Sequence, residues 1–171
     1  MTFETPRLML RPFTADDVDD LYGLFSLPEV ARWSGTGQPM TDVQQARDRI
    51  DGMPERAGSH PAAGIFHTSH AGEFVGMTIL APLRPSAGNP RDVHEIGWHL
   101  HPDHWGHGYA TEAASALVDR GFAAGLPELW AVTDPDNVRS QAVCRRLGMT
   151  DLGLTDDWYD LELRAFRLDH L

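Results

Sequence analysis

The residues with the clearest chemical content lie between Val93 and Thr111, where the chain reads VHEIGWHLHPDHWGHGYAT. Alternation places His94, Ile96, Trp98 and Leu100 on one side of a strand and Glu95, Gly97, His99 and His101 on the other. Pro102 brings no N–H to a ladder and ends it. In Trp105-Gly106-His107-Gly108-Tyr109-Ala110 the two glycines permit positive φ and remove side-chain bulk, so successive backbone N–H groups can converge on one external anion. A helix follows, with Ala110, Ala113, Ala114, Leu117, Val118 and Gly121 on one face and Thr111, Glu112, Ser115, Asp119 and Arg120 on the other. Its unpaired first amides and positive dipole end face the same anion. Turn and helix together read as a cradle for a phosphate-bearing cofactor.

Other phosphate motifs do not fit. A dinucleotide fingerprint needs a third Gly where Thr111 stands, and a Walker loop needs Gly-Lys-Ser/Thr. Five of the nine histidines, His94, His99, His101, His104 and His107, crowd this stretch, which raises metal binding as a reading. Without an HExxH helix or a Cys/His pairing, the expectation is packed or solvated imidazoles and no metal.

The elements that must position the cradle follow from periodicity. Arg7 to Phe13 reads as a first strand with Leu8 and Leu10 on one side. Thr14 and Asp17 form a capping pair for a helix with Val18, Leu21, Leu24 and Phe25 inward, and Pro28 marks its end. A turn-rich stretch through Trp33 leads to a second helix starting at Thr41, with Val43, Ala46, Ile50 and Met53 inward. Ile65 to Thr68 and Phe74 to Leu83 read as a hairpin. Beyond the cradle helix, Leu129 to Thr133 is a strand, Asn137 an N-cap, and Gly148 a helix stop. Segments near Met149 to Leu152 and Asp160 to Leu168 read as closing strands.

At 171 residues and 42% hydrophobic, the chain supports one core. A net charge of −11, with 25 acidic against 14 basic residues, argues against nucleic acid and anionic membranes as partners and would attract cationic amines. The sole cysteine, Cys144, allows no intrachain disulfide, and no apolar run approaches a membrane span. A soluble, cytoplasmic protein is expected.

EIGWHLHPDHWGHGYATEA resembles motif A of the GNAT-type acetyltransferases, in their ribosomal-protein N-terminal acetyltransferase-like branch. Asn137-Val138-Arg139-Ser140 followed by Leu147-Gly148-Met149 resembles the family's N-x-x-S…L-G-F helix and strand, and Thr5-Pro6-Arg7-Leu8-Met9-Leu10-Arg11-Pro12-Phe13 resembles the branch's opening strand. The chain departs from the pattern at Trp105, where Arg or Gln is usual, and at Cys144, seven residues after Asn137, where many members carry a catalytic tyrosine.

The resemblance implies an α/β GNAT fold in a single domain, 1–171: a mixed, mostly antiparallel twisted sheet, splayed near the cofactor, with helices on both faces. It implies acetyl-CoA as cosubstrate, its pyrophosphate on the turn formed by Trp105, Gly106, His107, Gly108, Tyr109, Ala110 and Thr111. Its amide-bearing arm would lie beside Trp98, His99 and Leu100 as another strand would, with Asn137 within bonding range and Arg139, Arg145 or Arg146 adding charge. Glu95 is the first candidate base, with Ser140 and Cys144 one helical turn apart as candidates for assisting the leaving thiolate. Phe25 and Trp33 are expected to shape the substrate pocket.

The implied activity is acetyl transfer to a primary amine of a small molecule or peptide, by a protein compatible with a homodimer. At pH 7 an α-amine is about 10–15% neutral and an unperturbed lysine amine about 0.04%, a difference of about 3.5 kcal/mol. That favours a peptide or protein N-terminal α-amine. The absent tyrosine supports an alternative, a non-catalytic acyl-CoA-binding or sensing module.

Overall fold

The computed structural model, which describes residues 2–170, opens with an unpredicted two-residue strand, β1 (Phe3–Glu4), before β2 (Met9–Pro12), which lies within the predicted Arg7 to Phe13 strand. Met1 and Leu171, the ends of the expected domain, lie outside the described residues. Leu8 and Leu10 are buried and Met9 is exposed, as alternation requires. After a 3-10 turn at Ala15–Asp17 come α1 (Val18–Phe25) and α2 (Pro28–Ala31). Pro28 therefore does not simply end a helix; with no N–H to lose, it starts one. α3 (Val43–Ala57) is capped by Asp42 rather than begun at Thr41. It buries Ala46, Ile50 and Met53, while Val43, expected inward, is exposed in the first turn.

The hairpin β3 (Gly64–His70) and β4 (Glu73–Pro82) turns at Ala71 and Gly72, both at positive φ. Then follow β5 (His94–Leu100), α4 (Tyr109–Ala123), β6 (Glu128–Thr133), α5 (Val138–Arg146), β7 (Thr150–Trp158) and β8 (Leu161–Asp169). β7 runs well beyond its predicted end at Leu152. It turns into β8 through Tyr159 and Asp160, at φ 59° and 57°, a left-handed pair that closes a two-residue hairpin.

All the strands share one sheet, in the order β1-β2-β3-β4-β5-β6-β8-β7. Every pairing is antiparallel except β5 with β6. On one face α4 packs on Leu10, Phe66, Leu80, Ile96 and Leu100, and α5 continues that layer through Cys144 over Ala131 and Phe166. On the other, α1 and α3 pack on Ile65 and Met77. Among the described residues no helix is long and apolar enough to cross a membrane.

The predicted Thr14–Asp17 cap is a larger device. Arg11 forks onto Asp17 at 2.7 and 2.6 Å, and the Thr14 amide and hydroxyl add bonds at 2.7 and 3.0 Å. Burial works to raise the Asp17 carboxyl, but the Arg11 fork and the Thr14 bonds outweigh it and hold it down to about 2. A depressed carboxyl stabilises the fold above its unfolded pKa, near 4, and ceases to do so as pH falls through 2. Asp17→Asn should therefore cost about 2 kcal/mol at pH 7. In denaturant titrations at stepped pH, the gap to wild type should close between about pH 4 and pH 2.

Candidate active site

Parallel pairing of β5 and β6 stops almost as soon as it begins. His94 faces Leu129 and Glu95 faces Trp130, after which the strands separate. Gly76 of β4 lies opposite Leu100, and a Cβ there would meet the His99 carbonyl oxygen at 2.3 Å. Only glycine lets β4 press this closely on β5 where β5 leaves β6. The gap opens a cleft of about 2150 Å³, larger than the 300–1,000 Å³ typical of one small ligand and suited to two meeting molecules. The Thr133 hydroxyl, at its β6 wall, is buried with no partner among the described residues.

At the outer end of β5, Gly106 and Gly108 sit at φ 81° and 79°, and Gly108 is the N-cap of α4. Intrahelical bonding starts with the Glu112 amide on the Gly108 carbonyl at 3.0 Å, so the amides of Tyr109, Ala110 and Thr111 precede the ladder. This is the geometry expected of an anion cradle, and Trp105, Gly106, Gly108, Tyr109, Ala110 and Thr111 all line the cleft. Arg7, in the stretch that resembles the branch's opening strand, clamps the cradle. It donates to the His107 carbonyl at 3.0 Å, pairs with Glu112 at 2.6 Å and stacks on Tyr109. Arg146 reaches Thr111 at 3.4 Å, and Arg139 lies over the Trp105 ring at 4.6 Å. Of the three arginines expected to add charge, Arg145 is turned away to Asp151.

Trp98 bridges the gap from below, packing both on the α4 side of the core and on the cluster around Ala131 and Cys144. Its Nε1 donates to Ser140 Oγ at 3.0 Å, and Asn137 caps α5 through the Ser140 amide at 3.2 Å. An indole N–H only donates, so the Ser140 oxygen is the acceptor and its own proton is directed elsewhere. Ser140 and Asn137 both line the cleft.

On the opposite face of β5, Glu95 is buried and accepts from Arg56 and from the Tyr159 hydroxyl, both on Oε1. Oε2 has no partner among the described residues. Burial raises the Glu95 carboxyl above its usual range, with Arg56 and Tyr159 offsetting part of that. Burial and the neighbouring Glu95 carboxylate likewise push the Tyr159 hydroxyl up. Arg56 is held by the Pro82 carbonyl at 2.6 Å and by Tyr159 at 2.7 Å. Neither Arg56 nor Tyr159 is among the predicted site residues. Arg56 shares an α3 stripe with Arg49, Gly52 and Met53, a mixture of charge and glycine that marks a functional face. Tyr159 arrives from the β7–β8 turn, whose position no local pattern reveals. His99 edges onto the Phe25 ring at 5.2 Å, and burial together with Arg49 drives its imidazole down to about 3, so it is neutral.

Three expected site residues stand elsewhere. Cys144 is fully buried among Ala131, Met149 and Phe166, and burial lifts its thiol to about 12; the shared helix face with Ser140 does not bring it to the cleft. The His107 side chain stacks on Tyr109 outside the cleft lining and contributes backbone alone. Phe25 is buried beneath His99 and Arg49 rather than lining the pocket, whereas Trp33 does line it. The crowded histidines divide: His94 contacts His60 and His99 meets Phe25, while His101 lies 6.2 Å from His104, and His104 and His107 both face the Tyr109 ring. Among the described residues the one constellation with metal-ligand types is Asp17, Asp20 and His67, and both Asp17 oxygens are already taken by Arg11.

Residues 7–150 match the family described as Acetyltransferase (GNAT) domain. The chain is 32% identical over 160 residues to an uncharacterized N-acetyltransferase, p20, of Bacillus licheniformis, covering 92% of this chain and 86% of that protein. It is 33% identical over 164 residues to FsC-acetyl coenzyme A-N(2)-transacetylase of Aspergillus fumigatus, covering 93% and 69%. Among solved structures, the Salmonella typhimurium acetyl transferase that modifies the N-terminal serine of ribosomal protein L7/L12 superposes with a TM-score of 0.78 at 18% identity, covering 98% of this chain and 97% of that one.

The cradle makes a direct prediction. Gly108→Val forces a β-branched residue to φ 79° and sets a Cβ 3.5 Å from the Arg7 guanidinium, at a strain of about 1–3 kcal/mol. Calorimetric titration should find coenzyme A binding weakened at least about tenfold while the circular dichroism spectrum is retained; undiminished affinity would remove the phosphate from this turn.

Proposed function

The chain belongs to the GNAT acetyltransferase family, and from that premise we propose that it carries the acetyl group of acetyl-CoA to an α-amine, that of a peptide or protein N-terminus. The observation that carries this reading is the parting of β5 from β6, which opens one cleft to the anion cradle, to two unpaired strand edges and to a buried carboxylate.

Acetyl-CoA supplies a thioester carbon for the amine to attack and releases coenzyme A as a thiolate. The amides of the Gly106 to Thr111 turn, with Arg139 and Arg146 beside them, suit its phosphates. The edge from Trp98 to Leu100 suits its amide-bearing arm, which would complete the ladder that β6 leaves open. An N–H of that edge is a donor for the oxygen on which charge develops.

The attacking nitrogen must first lose a proton. Glu95 presents Oε2 as the acceptor, and a carboxyl raised by burial is a stronger base than an ordinary one. Four residues of strand, about 13 Å, separate Glu95 from His99, so the proton passes by way of water. A relayed base of this strength suits an α-amine, a fraction of which is already neutral, better than a lysine. Ser140, whose oxygen already accepts from Trp98, is left with a proton to donate toward the departing sulfur. The A. fumigatus relative is named for acetylating an N(2) amine with acetyl-CoA, and the Salmonella fold neighbour for an N-terminal serine.

Assays of N-terminal peptides, polyamines, free amino acids and aminoglycosides with acetyl-CoA should give the highest kcat/KM for peptides. Turnover confined to the other three classes would eliminate the N-terminal acceptor. Glu95→Gln should lower kcat/KM about 10²–10⁴-fold at pH 8. Because only the ionised carboxyl accepts a proton, the wild-type advantage should shrink as pH falls through the raised Glu95 range; a ratio independent of pH would exclude Glu95 as the base.

A further inference from the structure

α3 turns two arginines toward the cleft, on the face that also carries Gly52 and Met53, and their situations differ. Arg56 is fully employed by Glu95, Tyr159 and the Pro82 carbonyl. Arg49 has no carboxylate in ion-pair range among the described residues. One face of its guanidinium lies 3.9 Å from the centre of the Phe25 ring. For its in-plane donors the partner among the described residues is the Ser34 hydroxyl, at the 3.5 Å limit of a hydrogen bond. The side chain is half-buried and lines the cleft. Burial, with the repulsion of Arg56, lowers it to about 10, still charged at neutral pH.

A half-buried cation with no counter-charge has lost part of its hydration, and an anion arriving through the cleft would make good that loss. Stacking on the Phe25 ring attracts and orients the guanidinium but supplies no counter-charge, which a bound anion would provide. The cofactor's phosphates are an unsuitable source, because the cradle belongs to α4, on the other face of the sheet. Arg49 instead stands close enough to His99 to depress it, opposite the strand segment assigned to the thioester. Gly52, one turn along α3, has open space where a Cβ would stand, so the volume beside Arg49 is free to be filled.

We propose that the acceptor carries a carboxylate close to its reacting amine and that Arg49 binds this carboxylate, a specificity element resting on the acyl-transfer reading of the cleft. A planar guanidinium offers two parallel N–H donors to a carboxylate, which fixes orientation as well as position. Two sources supply that chemistry: the α-carboxylate of a free amino acid, and an acidic side chain near the N-terminus of a peptide.

Two matched pairs of probes separate them. Alanine and alaninamide differ in the α-carboxylate; the tripeptide amides Ala-Asp-Ala and Ala-Asn-Ala differ in the side-chain carboxylate. Each is titrated calorimetrically into coenzyme A-saturated protein and assayed for turnover with acetyl-CoA. In at least one pair the carboxylate member should bind about tenfold or more tightly than its amide twin, and the pair that discriminates names the source. In Arg49→Met the difference should fall within about twofold, through KM rather than kcat, with Arg49→Lys intermediate. Arg49→Met should melt no lower than wild type, whereas a purely structural arginine would lower the melting temperature. Equal binding within both pairs, or a preference that survives Arg49→Met, overturns the proposal. Absence of coenzyme A release with every acceptor would instead count against the acyl-transfer reading, and the titrations would still decide the role of Arg49.

Discussion

A strand edge inside a protein must find partners for its amides and carbonyls, and everything at this site depends on the two edges exposed where β5 leaves β6. An unmade buried hydrogen bond costs about 1–3 kcal/mol, so a sheet does not open its middle without support. Here support comes from below and from the side. Trp98 fills the wedge and ties its indole to Ser140 at the start of α5, while Gly76 lets β4 crowd onto β5 at Leu100 and draw it away. What remains is an edge with strand geometry and no strand beside it. An extended chain of amides and methylenes matches that vacancy better than a compact ligand does.

Because strand side chains alternate, β5 divides two tasks between its faces. Ile96, Trp98 and Leu100 build the layer under α4, whose N-terminus carries the turn proposed as the anion cradle. Glu95 and His99 point toward α1 and α3, where Arg49, Arg56 and Trp33 line the cleft. On the proposed reading, donor and acceptor approach the same strand from opposite faces. The N-terminal segment contributes to this order as well, since Arg7 locks the His107 carbonyl and Glu112 and so holds the cradle's turn against the helix it begins.

The cradle was legible because glycine and proline speak locally: Pro102, Gly106 and Gly108 define a strand end, a turn and a helix start without reference to the rest of the chain. The faces of β5 and α4 were legible for the same reason, since a period of two or 3.6 needs only neighbours. The acceptor side was not. Arg56 meets Glu95 across 39 residues and Tyr159 meets it across 64, and no spacing rule reaches that far. Cys144 shows the opposite limit. One helical turn from Ser140 in sequence, it is expected at the site, yet the helix rotates it into the core, a rotation that the apolar neighbours Ala131, Met149 and Phe166 decide. Phe25 was expected to touch substrate and instead supports the arginine and histidine that line the cleft.

The two arginines of α3 illustrate how a fold distributes unpaired charge. Burying Glu95 beside Arg56 and Tyr159 is tolerable because each partner's cost is met within the chain, and what survives is one free carboxylate oxygen with heightened basicity. Arg49, two turns earlier, is treated differently: its aromatic neighbour orients it but supplies no counter-charge. The same imbalance exists at the open edges of β5 and β6 and at the Thr133 hydroxyl. In each place a polar group faces the cleft without a protein partner, and a molecule of complementary chemistry can exchange water there for direct bonds. The placement of these groups restricts which molecules fit the cleft by chemistry as well as by shape.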